Sequence, residues 1–268
     1  MELNYEIIGS GSIRKCIFLH GVLGQGKNWR SFARHLSSEY QCLIYDQRGH
    51  GKSEQPSSGY TMEIMAQDLR GLIGNLGWDS GKVDIVGHSM GGRVALTFAN
   101  QFADLVGKLV IVDIGPQSNW VSMESILTMV ESVPVPFPDR AQAKSYLVSE
   151  FQERHGAAMA QFMLTNIGAL ENGEWGWVFS KSGLKQILTE SRLKDHWDAF
   201  KSLNMPTLLL RGEKSTYLSL EDFKKIQEAN PKIVGQQING AGHWLHAEKP
   251  VETLKALKSF FNIDEALS

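Results

Sequence analysis

An apolar run at residues 83–86 passes directly into Gly87-His88-Ser89-Met90-Gly91, and helically spaced apolar residues follow in Gly92-Arg93-Val94-Ala95-Leu96-Thr97-Phe98-Ala99. A strand that turns into a helix within so few residues must do so sharply, and the residue at the apex must adopt a strained conformation. The glycines two positions either side of Ser89 are then steric requirements, because a Cβ at either would meet neighbouring backbone. The pattern predicts a serine hydroxyl raised above the end of a strand, at a helix N-terminus whose dipole favours developing negative charge. Ser89 is therefore a candidate nucleophile.

Further β-type runs fall at 3–8, 15–20, 41–46, 109–113, 207–211 and 233–238, and helical patterns at 29–38, 62–76, 91–102, 220–229 and 251–261. Strands that are apolar throughout and separated by helices predict a mostly parallel central sheet flanked by helices, an α/β fold. A chain of 268 residues is long enough for one such domain with an insertion. Between Gly115 and Met205 the alternation stops, in a stretch rich in Met, Trp and Phe. We read it as a helical cap over 117–204, inserted after the sixth strand of a core made of 1–116 and 205–268. In an open parallel sheet the binding crevice lies beyond the carboxyl ends of the strands, so the cap would sit above Ser89.

Several function classes are disfavoured. With 27 basic against 29 acidic residues the chain offers no positive stripe for a phosphate backbone, so no nucleic-acid partner is expected. Cys16 and Cys42 each lie in an apolar run, which suits buried thiols in a reducing, cytoplasmic setting better than a bridge. No signal-peptide pattern opens the chain and no run is long enough to span a membrane. Gly21-Val22-Leu23-Gly24-Gln25-Gly26-Lys27-Asn28 approaches a phosphate-binding loop but ends in Asn28 where magnesium would need a hydroxyl. No metal-ligand spacing occurs, and no cofactor is expected.

Three further segments complete a pattern. His20-Gly21 closes the second strand, Asp46-Gln47-Arg48-Gly49-His50-Gly51-Lys52-Ser53 follows the third, and Gly240-Ala241-Gly242-His243-Trp244 follows the last. In this order, with the serine turn, the chain resembles the α/β-hydrolase superfamily over nearly its whole length. The turn itself, Val112-Asp113-Ile114-Gly115-Pro116 and the stretch from Gly242 to Pro250 look like the branch of small bacterial carboxylesterases and acyl-CoA thioesterases.

A serine hydroxyl needs a base. Of the eight histidines, His243 alone stands in the glycine-rich loop after the last predicted strand, and it is the candidate base. His20, His50, His88 and His246 are read as packing or positioning residues, and His35, His155 and His196 as solvated ones. The resemblance implies a carboxylate between Ser89 and His243 in chain order. The family commonly has an aspartate three residues beyond a glycine after the 207–211 strand, where this chain has Ser215. Two carboxylates remain at strand ends, Asp113 and Glu213. Asp113 is favoured because it ends the strand beside the one feeding Ser89, and some members of the superfamily take their acid there. The resemblance also implies an oxyanion hole from the backbone N–H groups of Val22 and Met90. The expected activity is hydrolysis of a small ester or thioester. The alternatives are carbon–carbon bond cleavage or a lyase reaction by the same Ser-His pair, with Arg93 holding a substrate carboxylate, or a hydrolase-like receptor without turnover. Arg93 is otherwise read as a helix-surface residue paired with an acid.

Overall fold

The computed structural model describes residues 1–117, 120–193 and 195–263. The strands among them are β1 (Tyr5–Ile8), β2 (Lys15–Leu19), β3 (Gln41–Tyr45), β4 (Val83–His88), β5 (Val106–Val112), β6 (Ile167–Ala169), β7 (Trp175–Trp177), β8 (Thr207–Gly212) and β9 (Ile233–Ile238). Seven form one sheet in the order β1-β3-β2-β4-β5-β8-β9. Only β1 is antiparallel to its neighbour. The helices α1 (Arg30–Leu36), α2 (Met62–Asn75) and α3 (Met90–Gln101) precede β5, and α10 (Leu220–Ala229), α11 (Leu245–Glu248) and α12 (Pro250–Phe261) follow β8. Between β5 and β8 lie α4 (Trp120–Glu131), α5 (Arg140–Tyr146), α6 (Gln152–His155), α7 (Ala157–Leu164), α8 (Lys181–Leu193) and α9 (Trp197–Lys201), with β6 and β7 among them.

The strands are apolar throughout because both faces are covered. Ile17, Leu19, Ile85, Leu109, Ile111 and Leu209 point to one side, against Met65 and Leu69 of α2, Val94 and Phe98 of α3 and Ile226 of α10. Their sequence neighbours Cys16, Phe18, Val86, Val110, Leu208 and Leu210 point to the other, against Phe32 and Leu36 of α1 and Leu257 and Phe261 of α12. Such a side chain contributes about 1.5–3 kcal/mol when fully buried, so the period of two within each strand fixes its register. Local signals set the helix ends: Thr61 and Ser219 cap α2 and α10 by accepting from the N–H groups of Ile64 and Asp222, and Asn262 leaves α12 in a left-handed conformation.

Two expectations need correction. The insertion leaves the sheet after the fifth strand in chain order, not the sixth, since the run at 109–113 is itself the fifth of the β-type runs. It is also not purely helical, since β6 and β7 pair antiparallel from Ile167↔Trp177 to Ala169↔Trp175. The inserted segment reaches the loops at the carboxyl edge of the sheet. Gln25 Nε2 donates to Thr165 O at 2.7 Å, Ser180 N–H donates to Gly49 O at 2.7 Å, and the Phe162 ring stands 6.0 Å from that of Trp244.

The loop after β3 braces this edge. Asp46 accepts from the N–H groups of Gly26 and Lys52, and Arg48 forks onto Asp68 at 2.5 and 2.8 Å. Asn28, in the segment that approaches a phosphate-binding loop, closes its own turn by accepting from Gln25 N–H at 2.6 Å.

Candidate active site

Ser89 sits between β4 and α3 with φ +53° and ψ −120°, a conformation costing roughly 1–3 kcal/mol for a residue with a Cβ. Its neighbours leave no room for relaxation. A Cβ on Gly91 would lie 2.5 Å from Leu19 O and 2.6 Å from His20 O, and one on Gly87 would strike Gly91 O. The Ser89 N–H donates to Val112 O at 3.1 Å, which ties the turn to the end of β5.

The next residue on that strand is Asp113, fully buried and also at positive φ, +57°. Its Oδ1 accepts from Gly212 N–H at 2.9 Å. Its Oδ2 accepts from the Ser215 hydroxyl and from His243 Nδ1 at 2.8 Å. A carboxylate oxygen that accepts from Nδ1 holds the ring proton there and leaves Nε2 of His243 with a lone pair. Three further contacts hold the imidazole. The Tyr217 ring stacks on it at 3.7 Å and 16°, the His88 ring lies at 4.7 Å, and His88 Nε2 donates to His243 O at 2.8 Å.

Glu213, the other carboxylate considered, is engaged elsewhere: its Oε2 accepts from Gly240 N–H at 2.6 Å. Ser215 stands where the family pattern has its acid and donates to Asp113 instead. Nothing in the sequence signals the stacking of Tyr217, because a loop tyrosine after β8 has no periodicity to reveal its direction.

On the other side of Ser89, a Cβ on Gly21 would come within 3.1 Å of Ser89 Cβ and 2.7 Å of His88 Nδ1, so the Gly21–Val22 backbone abuts the serine turn. His20 anchors this loop. Its Nδ1 donates to Gly21 O at 2.8 Å and its Nε2 accepts from Gln47 N–H at 3.0 Å. Among the described residues neither the Val22 N–H nor the Met90 N–H meets a protein acceptor. Two backbone donors are thus free beside the serine.

His35 and His155 are exposed, as expected, whereas His246 and His196 are buried, the latter against the expectation that it is solvated. His246 stacks on Trp29 at 4.6 Å and touches His88 at 4.6 Å, while His196 is buried at the base of the insertion, its N–H donating to Pro116 O. Loss of water pushes His50 and His246 down to about 3 and His88 well below the ordinary histidine value. These rings stay neutral in the fold, whereas the unfolded chain takes up protons once the pH falls below the ordinary 6.5. Stability is therefore complete above that pH and declines as the pH falls toward 3. The slope is about 1.4 kcal/mol per pH unit for each such histidine. Calorimetry between pH 7.5 and 5 should show a steadily falling Tm; a flat profile would contradict neutral burial.

With this geometry in view, comparison with known proteins is direct. The model of the alpha/beta hydrolase fold matches residues 17–250. The sn-1-specific diacylglycerol lipase ABHD11 of Danio rerio is 33% identical over 268 residues, covering 97% of this chain and 82% of its own. A solved structure of E-2-(acetamidomethylene)succinate hydrolase superposes with a TM-score of 0.84 at 27% identity, covering 97% of this chain and 95% of the other. That of a marine microorganism esterase gives 0.83 at 29%, with 97% and 99% covered. Among the described residues no helix is long and apolar enough to cross a membrane. Sheet order, serine turn and family match lead to one conclusion: the chain belongs to the α/β-hydrolase family.

Proposed function

We propose that this α/β hydrolase is a serine esterase that cleaves carboxylic esters or thioesters of small acyl substrates through an acyl-enzyme. The observation that carries the reading is the Asp113–His243 hydrogen bond at 2.8 Å, made at the sheet edge where the strained Ser89 turn stands. Ser89 Oγ attacks the carbonyl carbon and its proton passes to His243 Nε2. The carbonyl oxygen becomes an oxyanion facing the N–H groups of Val22 and Met90, each worth roughly 3 kcal/mol in the transition state. Collapse breaks the bond to the leaving alcohol or thiol, which takes the proton from Nε2. Water then attacks the acyl-enzyme with His243 as base, releasing the acid and restoring Ser89. Residues 117–204 serve as a cap that bounds the acyl site. The esterase and lipase names of several relatives support the bond type.

The test is chemical labelling followed by a substrate series. A fluorophosphonate probe should modify the wild-type protein on the peptide containing Ser89. Acetyl to octanoyl esters and coenzyme A thioesters should then be hydrolysed with an optimum at short to medium chains. Absence of both labelling and ester turnover would leave a ligand-binding protein on a hydrolase fold.

A further inference from the structure

The first turn of α3 carries a cation that has no counter-charge among the described residues. Arg93 follows Ser89 by four residues and its N–H donates to Ser89 O at 3.1 Å. Arg93 thus stands in the first turn of the helix that opens at Ser89, whose own backbone lies outside it. Helical side chains lean toward the N-terminus, which carries the Arg93 stem over the turn that presents Ser89. The residue is only 5% exposed, so it is not the surface arginine its sequence position suggested. Nη1 is buried with no hydrogen-bond partner, and among the described residues no carboxylate pairs with the guanidinium. Burial alone pulls its pKa down to about 10.

The other two buried arginines show what this fold does with a structural guanidinium. Arg48 forks onto Asp68 and donates to Gly59 O. Arg211 donates to Leu218 O and to Gln237 Oε1. Arg93 has the same burial and none of these partners. Holding a charge away from water without compensation is strongly unfavourable, and an apolar side chain would fill the space at no such cost. The planar fork suits a carboxylate, which it can bind through two parallel hydrogen bonds. A single cation also balances a monoanion, where a phosphate dianion would need a second.

We propose that Arg93 is the docking point for a carboxylate on the substrate, so that the Ser89 site prefers esters or thioesters bearing an ionised carboxyl group a short chain away from the reacting carbonyl. This deepens the esterase reading and rests on Ser89 as the nucleophile. The carboxylate can belong to the acyl part or to the alcohol part, and paired substrates separate the two. Monomethyl succinate is compared with methyl butyrate for the acyl side, and butyryloxyacetic acid with ethyl butyrate for the alcohol side, each followed by proton release in a pH-stat.

Wild type should favour the anionic member of one pair. Arg93→Met should cut that preference, as a ratio of kcat/KM values, by about ten- to hundredfold, and Arg93→Lys should restore part of it. Binding provides a readout independent of turnover: in a Ser89→Ala background, monomethyl succinate should bind by calorimetry and lose its affinity when Arg93→Met is added. If no Ser89-dependent turnover exists, the esterase reading fails while this binding step still decides the subsite. Thermal melting guards against a merely structural role. Removing an unpaired buried charge should leave Tm unchanged or higher, whereas removing a structural arginine lowers it. Unchanged preferences in both pairs, or carboxylate binding that survives Arg93→Met, would overturn the proposal.

Discussion

Replacing Ser89 with alanine is expected to lower kcat for butyrate esters by a factor on the order of 10⁵–10⁶, while leaving the protein folded. The size follows from what is removed. Without Oγ there is no covalent intermediate, and the imidazole of His243 has no hydroxyl to deprotonate. What survives is binding and whatever the Val22 and Met90 N–H groups still do for a carbonyl attacked by water. Folding should be indifferent, because alanine at φ +53° carries the same Cβ strain as serine. Ser89→Gly supplies the complementary measurement. It removes both the nucleophile and the strain, so it should be as inactive as Ser89→Ala yet more stable by about 1 kcal/mol or more. Paired calorimetric scans and initial rates read both effects. A Ser89→Ala protein that keeps even one per cent of wild-type kcat would remove the serine from the chemistry.

How much of this was legible in the residues differs by level. Strands were visible because a parallel sheet covered on both faces demands uninterrupted apolar runs. The 233–238 run is β9 to the residue, and the 109–113 run found β5 apart from its start, where Gly107 and Lys108 dilute the signal, and its end, one residue earlier at Val112. The serine turn was legible because sterics dictate its glycines. The hairpin of β6 and β7 was not, since three-residue strands such as Trp175-Gly176-Trp177 are too short to show a period. The burial of Arg93 escaped for a different reason. Helical spacing tells which residues share a face, but not that the rest of the fold would enclose the face that carries Arg93. Ser215 and Tyr217 were equally silent: a hydroxyl and a ring in a loop acquire their roles only when β5 and β8 lie side by side and β9 delivers His243 to the same edge.

That juxtaposition makes the outcome at Asp113 specific. Asp113→Asn is expected to reduce kcat by about 10⁴-fold with little loss of stability. The asparagine has one carbonyl oxygen and one amide group to divide between the positions of Oδ1 and Oδ2. Oδ1 faces the Gly212 N–H at 2.9 Å, a backbone donor that cannot rotate or change character, so the carbonyl oxygen must go there. The amide then occupies the Oδ2 position, facing His243 Nδ1 and the Ser215 hydroxyl. Ser215 adapts by rotating its hydroxyl to accept. His243 adapts only by moving its proton from Nδ1 to Nε2, which leaves a donor where the proposed mechanism needs a base. Ser215→Ala should cost far less, since the Asp113–His243 bond survives the loss of one donor, and Glu213→Gln should leave kcat within about twofold because its carbonyl can still accept from Gly240. Initial rates for the three variants across pH 6–9, with thermal melts as a folding control, decide the matter. Near-normal turnover in Asp113→Asn together with collapse in Glu213→Gln would transfer the role of the acid from β5 to β8.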